Sequence, residues 1–400
     1  MDREALVFRN QRMAEAFHAL PPRHVIRRTL LSLLANAPIP RARTPDKERI
    51  LLIRPDHLGD VLLTTPAINA LRAAWPDAEI HALVGPWSAG VLAGYDALDY
   101  VLTLDFPGFS RTPKDSWYAP YQLLAQSARK LRVIGYSSAV ILRPDHWWGA
   151  LLARLAGIAT RVGYDLPDVM PFLTETVSHE HQHVVKQSAR LIEALIGVPF
   201  DGPLPLTFPV TAADRAWVNG YLGEWGVQPE GRIVAVHPGS GSWTKQWTEE
   251  SWAKTADALS EQLDAAVILT GSDHELPQAQ RIAASMRQPA CITAGDTQIG
   301  ALAALFERAL VVLGPDSGPL HLAAASGAPT VTLFGPADPV EFGPWGPPER
   351  HFVLTSSIGC RPCRVLDWGD DDPAYHPCVR EISVWRVLDA ARRAVQASRE

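Results

Sequence analysis

Four cysteines in 400 residues are too few to staple a chain of this length with disulfides. Cys291, Cys360, Cys363 and Cys378 fit a reducing compartment instead. Apolar runs of bilayer-spanning length are missing. So is the basic-then-apolar layout of a secretory signal, since the chain opens Met1-Asp2-Arg3-Glu4. These absences predict a cytoplasmic protein. An excess of positive charge is missing too: 37 Lys and Arg stand against 43 Asp and Glu, a formal net charge of −6. That balance argues against nucleic acid as the main partner. It leaves room for a single nucleotide, which needs only a local anion site. Low-complexity tracts and short-period repeats are not seen.

The composition that remains, 47% hydrophobic and 20% charged, is that of a globular protein. The length predicts two domains, each with its own core. Residues 1–46 read as a helical extension ending in a loop with Pro38, Pro40 and Pro45. Within it, Arg23 to Ala35 mixes Arg23, Arg27 and Arg28 with Val25, Ile26, Leu30, Leu31, Leu33 and Leu34. That stretch reads either as a basic amphipathic helix on an anionic membrane surface or as a helix packed on the first domain, the second being preferred.

From Arg49 the pattern alternates. Arg49–Arg54 is a short apolar run stopped by Pro55, as in a central parallel strand. Ala67–Trp75 has helical spacing, and Glu79–Val84, Asp99–Leu104 and Ala139–Leu142 read as strands. Phe106–Lys130 breaks the pattern with aromatics, prolines and mixed charges, and is expected to be a loop or lid. Gly202-Pro203-Leu204-Pro205, continuing to Pro209, marks a linker. Alternation then restarts with strands at Ile233–His237, Ala266–Leu269, Leu310–Leu313 and Thr330–Phe334, and helices at Glu249–Leu263, Ala301–Glu307 and Leu320–Ser326. Alternating strands and helices imply parallel sheets, which bind ligands beyond the C-terminal ends of their strands.

Three strand exits carry candidate chemistry. In Arg54-Pro55-Asp56-His57-Leu58-Gly59-Asp60-Val61, Gly59 permits unusual backbone angles or close ligand approach. Asp60 is open to two readings, an N-cap or a general base, and spacing alone favours the cap. In His237-Pro238-Gly239-Ser240-Gly241-Ser242-Trp243-Thr244-Lys245, small and hydroxyl residues suit phosphate oxygens and Lys245 supplies a point charge. An ordinary Gly/Ser loop with a solvated lysine accounts for the same residues equally well. In Gly314-Pro315-Asp316-Ser317-Gly318-Pro319-Leu320-His321, the free N–H groups of a helix start form an anion seat toward which His321 projects. Glu275, after the strand that ends near Thr270, is a minor candidate for ribose hydroxyls against a solvated loop. Cys360-x-x-Cys363 with His376 and Cys378 has partial zinc-ligand spacing, but only one Cys-x-x-Cys exists, so packed free thiols are expected and no metal.

The run Arg54 to Pro66 resembles the N-terminal motif of the glycosyltransferase family 9 heptosyltransferases. His237–Trp247, Asp316–His321 and Pro329–Pro339 resemble that family's donor-side motifs. The resemblance runs from about Arg49 to the C-terminal helix. It implies an α/β GT-B fold, two facing Rossmann-like domains with an interdomain cleft. The divisions are a helical extension at 1–46, an acceptor-binding domain at 47–205, a donor-binding domain at 206–358, and a Cys-containing segment and helix at 359–400 packing back toward the N-terminal domain. It implies an inverting, metal-independent transfer of heptose from ADP-heptose to a lipopolysaccharide core or related glycan. No cofactor is implied beyond the ADP-sugar donor substrate.

Carried over by position, Asp60 falls on the catalytic base and Lys245 on the group that stabilises the departing nucleotide. Ser240, Gly241 and Ser242 fall on the diphosphate loop, and Asp316, Ser317, Gly318 and His321 on the donor loop. Glu275 falls on a nucleoside-contacting carboxylate. On this basis the base is preferred to the cap at Asp60. The implied partners are a nucleotide-sugar donor and a lipid-linked or lipopolysaccharide acceptor, with peripheral contact at the inner face of the cytoplasmic membrane. Lys245-Gln246-Trp247-Thr248 departs from the family's frequent Lys-Arg-Trp-Pro and loses a positive charge. A nucleotide-sugar epimerase or a non-catalytic nucleotide-sugar-binding module on the same scaffold are the alternatives.

Overall fold

Ile50, Leu51, Leu52 and Ile53 are at most 1% exposed, so both faces of their strand are covered. In the computed structural model, which describes residues 2–19, 21, 28–30, 35, 38–42, 47–110, 116–369 and 371–398, this strand is the centre of a parallel sheet. The chain divides into two units, Leu20–Pro205 and Met1–Ala19 with Leu206–Glu400.

The N-terminal unit holds β1 (Arg49–Arg54), β2 (Glu79–Val84), β3 (Tyr100–Thr103), β4 (Ser138–Ile141), β5 (Thr160–Tyr164) and β6 (Glu175–Val177). Their order is β3-β2-β1-β4-β5-β6, all parallel. Alternate residues of β1 serve opposite cores, as the pleat requires. Leu51 and Ile53 meet Leu124, Leu131, Trp148 and Leu151 from the helices Ala119–Ile134 and Trp147–Leu155. Ile50 and Leu52 meet Ile68, Leu71, Leu191 and Ile192 from Thr65–Ala74 and Val184–Ile196.

The expected loop or lid over Phe106–Lys130 is corrected here, because a helix begins at Ala119. Pro120 lies in the first turn, where a proline costs no hydrogen bond, and Leu124, Ala128 and Leu131 form the buried stripe. Much of the basic stretch Arg23–Ala35 lies outside the described residues. Of the rest, Ala35 packs against the core under Leu51 and Ile53.

The C-terminal unit repeats the plan. Its strands are β7 (Ile233–Val236), β8 (Ala266–Leu269), β9 (Ala290–Ile292), β10 (Ala309–Pro315), β11 (Thr330–Phe334) and β12 (His351–Thr355), in the order β12-β11-β10-β7-β8-β9. Counted within each unit, both sheets run 3-2-1-4-5-6, the doubly wound order. Each therefore reverses direction once, between β1 and β4 in one unit and between β7 and β10 in the other.

The closing segment differs from expectation. Instead of turning its apolar stripe to the N-terminal domain, the helix Val384–Ala397 buries Val387, Ala390, Ala391 and Ala394 in the core of Val331, Leu333 and Trp252. The helix Arg3–His18 joins the same unit. Arg9 holds both oxygens of Asp371, and Asn10 Nδ2 donates to the Tyr375 carbonyl at 2.7 Å. No helix among the described residues is long and apolar enough to cross a membrane.

Candidate active site

Sheets of this order bind ligands where the winding reverses, outside the C-terminal ends of the two middle strands. In the N-terminal unit those ends are Arg54-Pro55-Asp56-His57 after β1 and Arg143-Pro144-Asp145-His146 after β4. The two tetrapeptides are identical, and β1 and β4 are adjacent, with Ile53 beside Ile141. Asp56 of the first copy is buried; Arg54 Nε lies 2.7 Å from one of its oxygens as an ion pair without a hydrogen bond, and Arg143 of the second copy donates to the other. Arg143 Nε also donates to Asp145 at 2.6 Å. Burial works to raise the Asp56 pKa, but Arg54 and Arg143 outweigh it and hold the carboxyl below its usual range.

Asp60 lies on the short helix Leu58–Leu62, whose N-cap is His57. The cap reading is thereby corrected: Asp60 sits in the first turn, partly exposed, with Arg54 Nη2 3.7 Å from its Oδ1. Gly59 is buried inside this helix and has no positive φ, so backbone freedom is not why it is glycine. Among the described residues, Arg54 and Arg143 face Asp56, Asp60 and Asp145 here.

His146 caps the same layer. Its ring lies edge-on to Phe106 and stacks with Trp148, and neither ring nitrogen has a hydrogen-bond partner. Burial pushes its pKa down to about 3, the Asp56 charge recovering only part of the loss. Of the tryptophans near this end, Trp148 is 3% exposed and belongs to the core, whereas Trp117 is 83% exposed. Trp87 donates Nε1–H to the Asp56 carbonyl at 3.0 Å, tying its ring to the loop.

In the C-terminal unit the corresponding exits are His237–Lys245 after β7 and Asp316–His321 after β10. Lys245 ends a single tight turn, Trp243–Lys245, for which Ser242 is the N-cap. Its ammonium is mostly buried and lies 2.6 Å from Asp316 Oδ2, and it also donates to the Asp316 carbonyl at 3.3 Å. Ser240 Oγ donates to the Ser242 carbonyl at 2.6 Å and Ser242 Oγ to the Leu366 carbonyl at 2.5 Å, so the loop is braced by its own hydroxyls. Gly241 is exposed with open space around its α-carbon.

Ser317 precedes the helix Gly318–Ala325, and its Oγ is buried without a hydrogen-bond partner. His321 follows in the first turn, 7% exposed. Glu275, after β8, accepts from Ser272 N and Oγ at 2.8 Å and presses against Gly239, where a Cβ would overlap its carboxylate. Ser240, Gly241, Ser242, Lys245, Glu275, Asp316, Ser317, Gly318 and His321 thus all lie on the loops, or the first helical turns after them, that leave the C-terminal ends of three neighbouring strands.

Sequence reasoning missed Asp56, Arg143, His146 and His237 as members of these layers. The repeated Arg-Pro-Asp-His was the available signal for the first three. His237, held below its ordinary pKa by burial, pairs Nδ1 with Thr270 Oγ1 at 3.0 Å, and no spacing rule announces that.

Cys360, Cys363, His376 and Cys378 line one small cavity with Asn10 and Thr244. All three thiols are free, and burial raises their pKa values, Cys378 to about 12. No three of these four side chains bring ligand atoms within 4.8 Å of one another.

Residues 125–367, more than half of the chain, match glycosyltransferase family 9 (heptosyltransferase). Lipopolysaccharide heptosyltransferase 3 of Escherichia coli (strain K12) is 26% identical over 296 residues, 72% of this chain and 82% of that one. A solved glycosyl transferase family 9 structure from Veillonella parvula DSM 2008 superposes with a TM-score of 0.74 at 23% identity, covering 89% of this chain and all of that one. The structure of E. coli ADP-heptose lps heptosyltransferase II gives a TM-score of 0.68 at 20% identity, over 88% of this chain. These likenesses show a two-domain GT-B fold.

Proposed function

The chain belongs to glycosyltransferase family 9 and is a glycosyltransferase, and from that premise we propose an inverting transfer of heptose from ADP-heptose to a lipopolysaccharide core or related glycan, without a metal or further cofactor. Three things support the reading. The relatives are lipopolysaccharide heptosyltransferases, and one solved neighbour is an ADP-heptose lps heptosyltransferase. The C-terminal switch point offers an ammonium and hydroxyl-rich loops, the groups a diphosphate needs. The N-terminal switch point offers a partly exposed carboxylate, Asp60.

The observation that carries the proposal is this division of chemistry between two sheets of the same topology. Asp60 takes the proton from the acceptor hydroxyl as its oxygen attacks the anomeric carbon and the bond to the nucleotide diphosphate breaks. Lys245 neutralises the charge that develops on the departing diphosphate. Ser240, Gly241, Ser242, Ser317 and Gly318 hold its oxygens, His321 the sugar side, and Glu275 the nucleoside. Asp316 keeps Lys245 aimed. The acceptor's lipid end brings the protein to the inner face of the cytoplasmic membrane.

Titration calorimetry with ADP-heptose, UDP-glucose and a GDP-sugar tests the donor. ADP-heptose is expected to bind most tightly, and preference for UDP-glucose would reject the donor assignment. A transfer assay then separates this reading from an epimerase or a binding module. Donor is consumed only with a glycan acceptor present.

A further inference from the structure

Large apolar side chains gathered on one exposed face mark a contact surface. Among the described residues, Val133 and Trp117 are the most exposed of these side chains. Trp117 lies just before the helix Ala119–Ile134 and Val133 in its last turn. Trp117 meets Tyr118 edge-on at 5.8 Å, and Tyr118 and Tyr121 are exposed as well. The helix buries Leu124, Ala128 and Leu131, so its opposite face carries Gln122, Gln126, Arg129, Lys130 and Val133, all exposed. Arg132 is turned to the next helix, where it donates to the Leu155 carbonyl at 2.5 Å. From Ser116 to Tyr164 the one acid is Asp145, in a chain whose formal net charge is −6, and Arg143 Nε donates to it.

We propose that this face docks the protein on an anionic lipid bilayer, with Trp117, Tyr118 and Tyr121 at the headgroup level and Arg129 and Lys130 against the phosphates. Tryptophan and tyrosine suit that level because each ring has an apolar body and a polar tip. Cations on an acid-free face gain from the negative potential of such a surface. Tyr121 and Val133 stand about 18 Å apart along the helix, so the contact runs along its length. A helix that joins parallel strands runs back along the sheet, so this one starts at the end where Asp60 lies. Trp148 fixes that start: its Nε1–H donates to the Pro120 carbonyl at 3.3 Å, and its ring stacks with His146. The proposal names the surface that meets the lipid and rests on the transferase reading for a lipid-linked acceptor. The C-terminal unit exposes Trp385 on the helix Val384–Ala397, but there Asp389 lies 3.5 Å from Arg392 and 4.0 Å from Arg393 and offsets their charge.

The test is co-sedimentation of the whole protein with vesicles, without donor or acceptor. One set is phosphatidylglycerol and phosphatidylcholine in equal parts, the other phosphatidylcholine alone. Binding to the mixed vesicles is expected to be about tenfold stronger and to weaken in high salt. Arg129→Gln with Lys130→Gln should weaken it by about 10- to 30-fold. Trp117→Ala should weaken it by about three- to tenfold. Val133→Asp, which puts a carboxylate on the acid-free face, should do the same. Trp385→Ala should change it by less than about twofold. All these positions are exposed, and thermal melting checks that each variant is folded.

Equal sedimentation of the wild type and the Arg129/Lys130 variant would overturn the proposal, and so would a loss confined to Trp385→Ala. If Trp117→Ala keeps vesicle binding and instead loses affinity for a lipid-free glycan, the rings serve sugar and the membrane surface is rejected. Sedimentation involves no sugar transfer, so failure of the transferase reading and failure of this surface are separate results.

Discussion

The two switch points have the same topology and opposite chemistry. At the N-terminal one, among the described residues, Arg54 and Arg143 face three carboxylates, of which Asp56 is buried, Asp60 partly exposed and Asp145 exposed. At the C-terminal one, Lys245 meets Asp316 beside hydroxyl-rich loops, the Glu275 carboxylate, two histidines and a helix start. The doubly wound order decides where a site can form, and the loop residues decide which charge it will accept. The buried histidines repeat the contrast. His146 has no hydrogen-bond partner, whereas His237 has Thr270.

The largest test of this comparison is loss of the two groups proposed for chemistry. Asp60→Asn is expected to lower kcat by about 10²–10⁴-fold with donor KM nearly unchanged. Lys245→Ala should lower kcat by about 10²–10³-fold and raise donor KM as well. Steady-state kinetics with varied donor checks both. Weakened donor binding in Asp60→Asn would break the division between the sheets.

Next comes acid. His146 titrates at about 3 when folded and at 6.5 when exposed, so the unfolded chain takes up the proton first. Its contribution to stability is therefore complete above 6.5 and is lost as pH falls toward 3. The slope is at most about 1.4 kcal/mol per pH unit. Urea melts across that range should show the loss, and His146→Phe should flatten it at little cost near neutrality. His237→Phe, which removes the short partner of Thr270 Oγ1 and leaves it only the Val236 carbonyl at 3.5 Å, should cost about 1 kcal/mol near neutrality. Equal behaviour of the two variants would erase the contrast.

Smaller effects sharpen the donor side. Gly239→Ala pushes the Glu275 carboxylate away and should raise donor KM by about three- to tenfold, while Gly241→Ala, in open space, should change it by less than about twofold. If the two glycines respond alike, Glu275 has no donor role. Smallest is Gln246→Arg, which restores a positive charge beside Lys245. Donor KM should fall by about twofold at low ionic strength, and the gain should vanish in high salt.

Legibility in the sequence followed burial. β1, β8 and β11 read clearly, because an apolar run that short between Pro, Gly or polar residues has room for a strand and not for a helix. The helix Glu249–Leu263 read clearly too, because its apolar stripe repeats at the helical period after the N-cap Thr248. β5 and β6 did not, since Thr160, Arg161, Glu175 and Thr176 interrupt any apolar run. The helix Ala119–Ile134 was hidden by Pro120 and its aromatic neighbours, although Leu124, Ala128 and Leu131 carry helical spacing. Asp60, Lys245 and the donor loops were legible from motif order, and their bonding partners were not.

By itself, the sequence determined the alternation of strands and helices, the parallel sheets and the position of each Gly-rich exit loop. Those follow from local apolar patterning and turn residues within a few positions of one another. Tertiary structure alone decided that Asp56 meets Arg143, 87 positions away, that Lys245 meets Asp316, and that His146 is buried without a partner. An ion pair or a desolvated ring depends on which strands become neighbours, and a parallel sheet makes neighbours of strands that the chain keeps far apart.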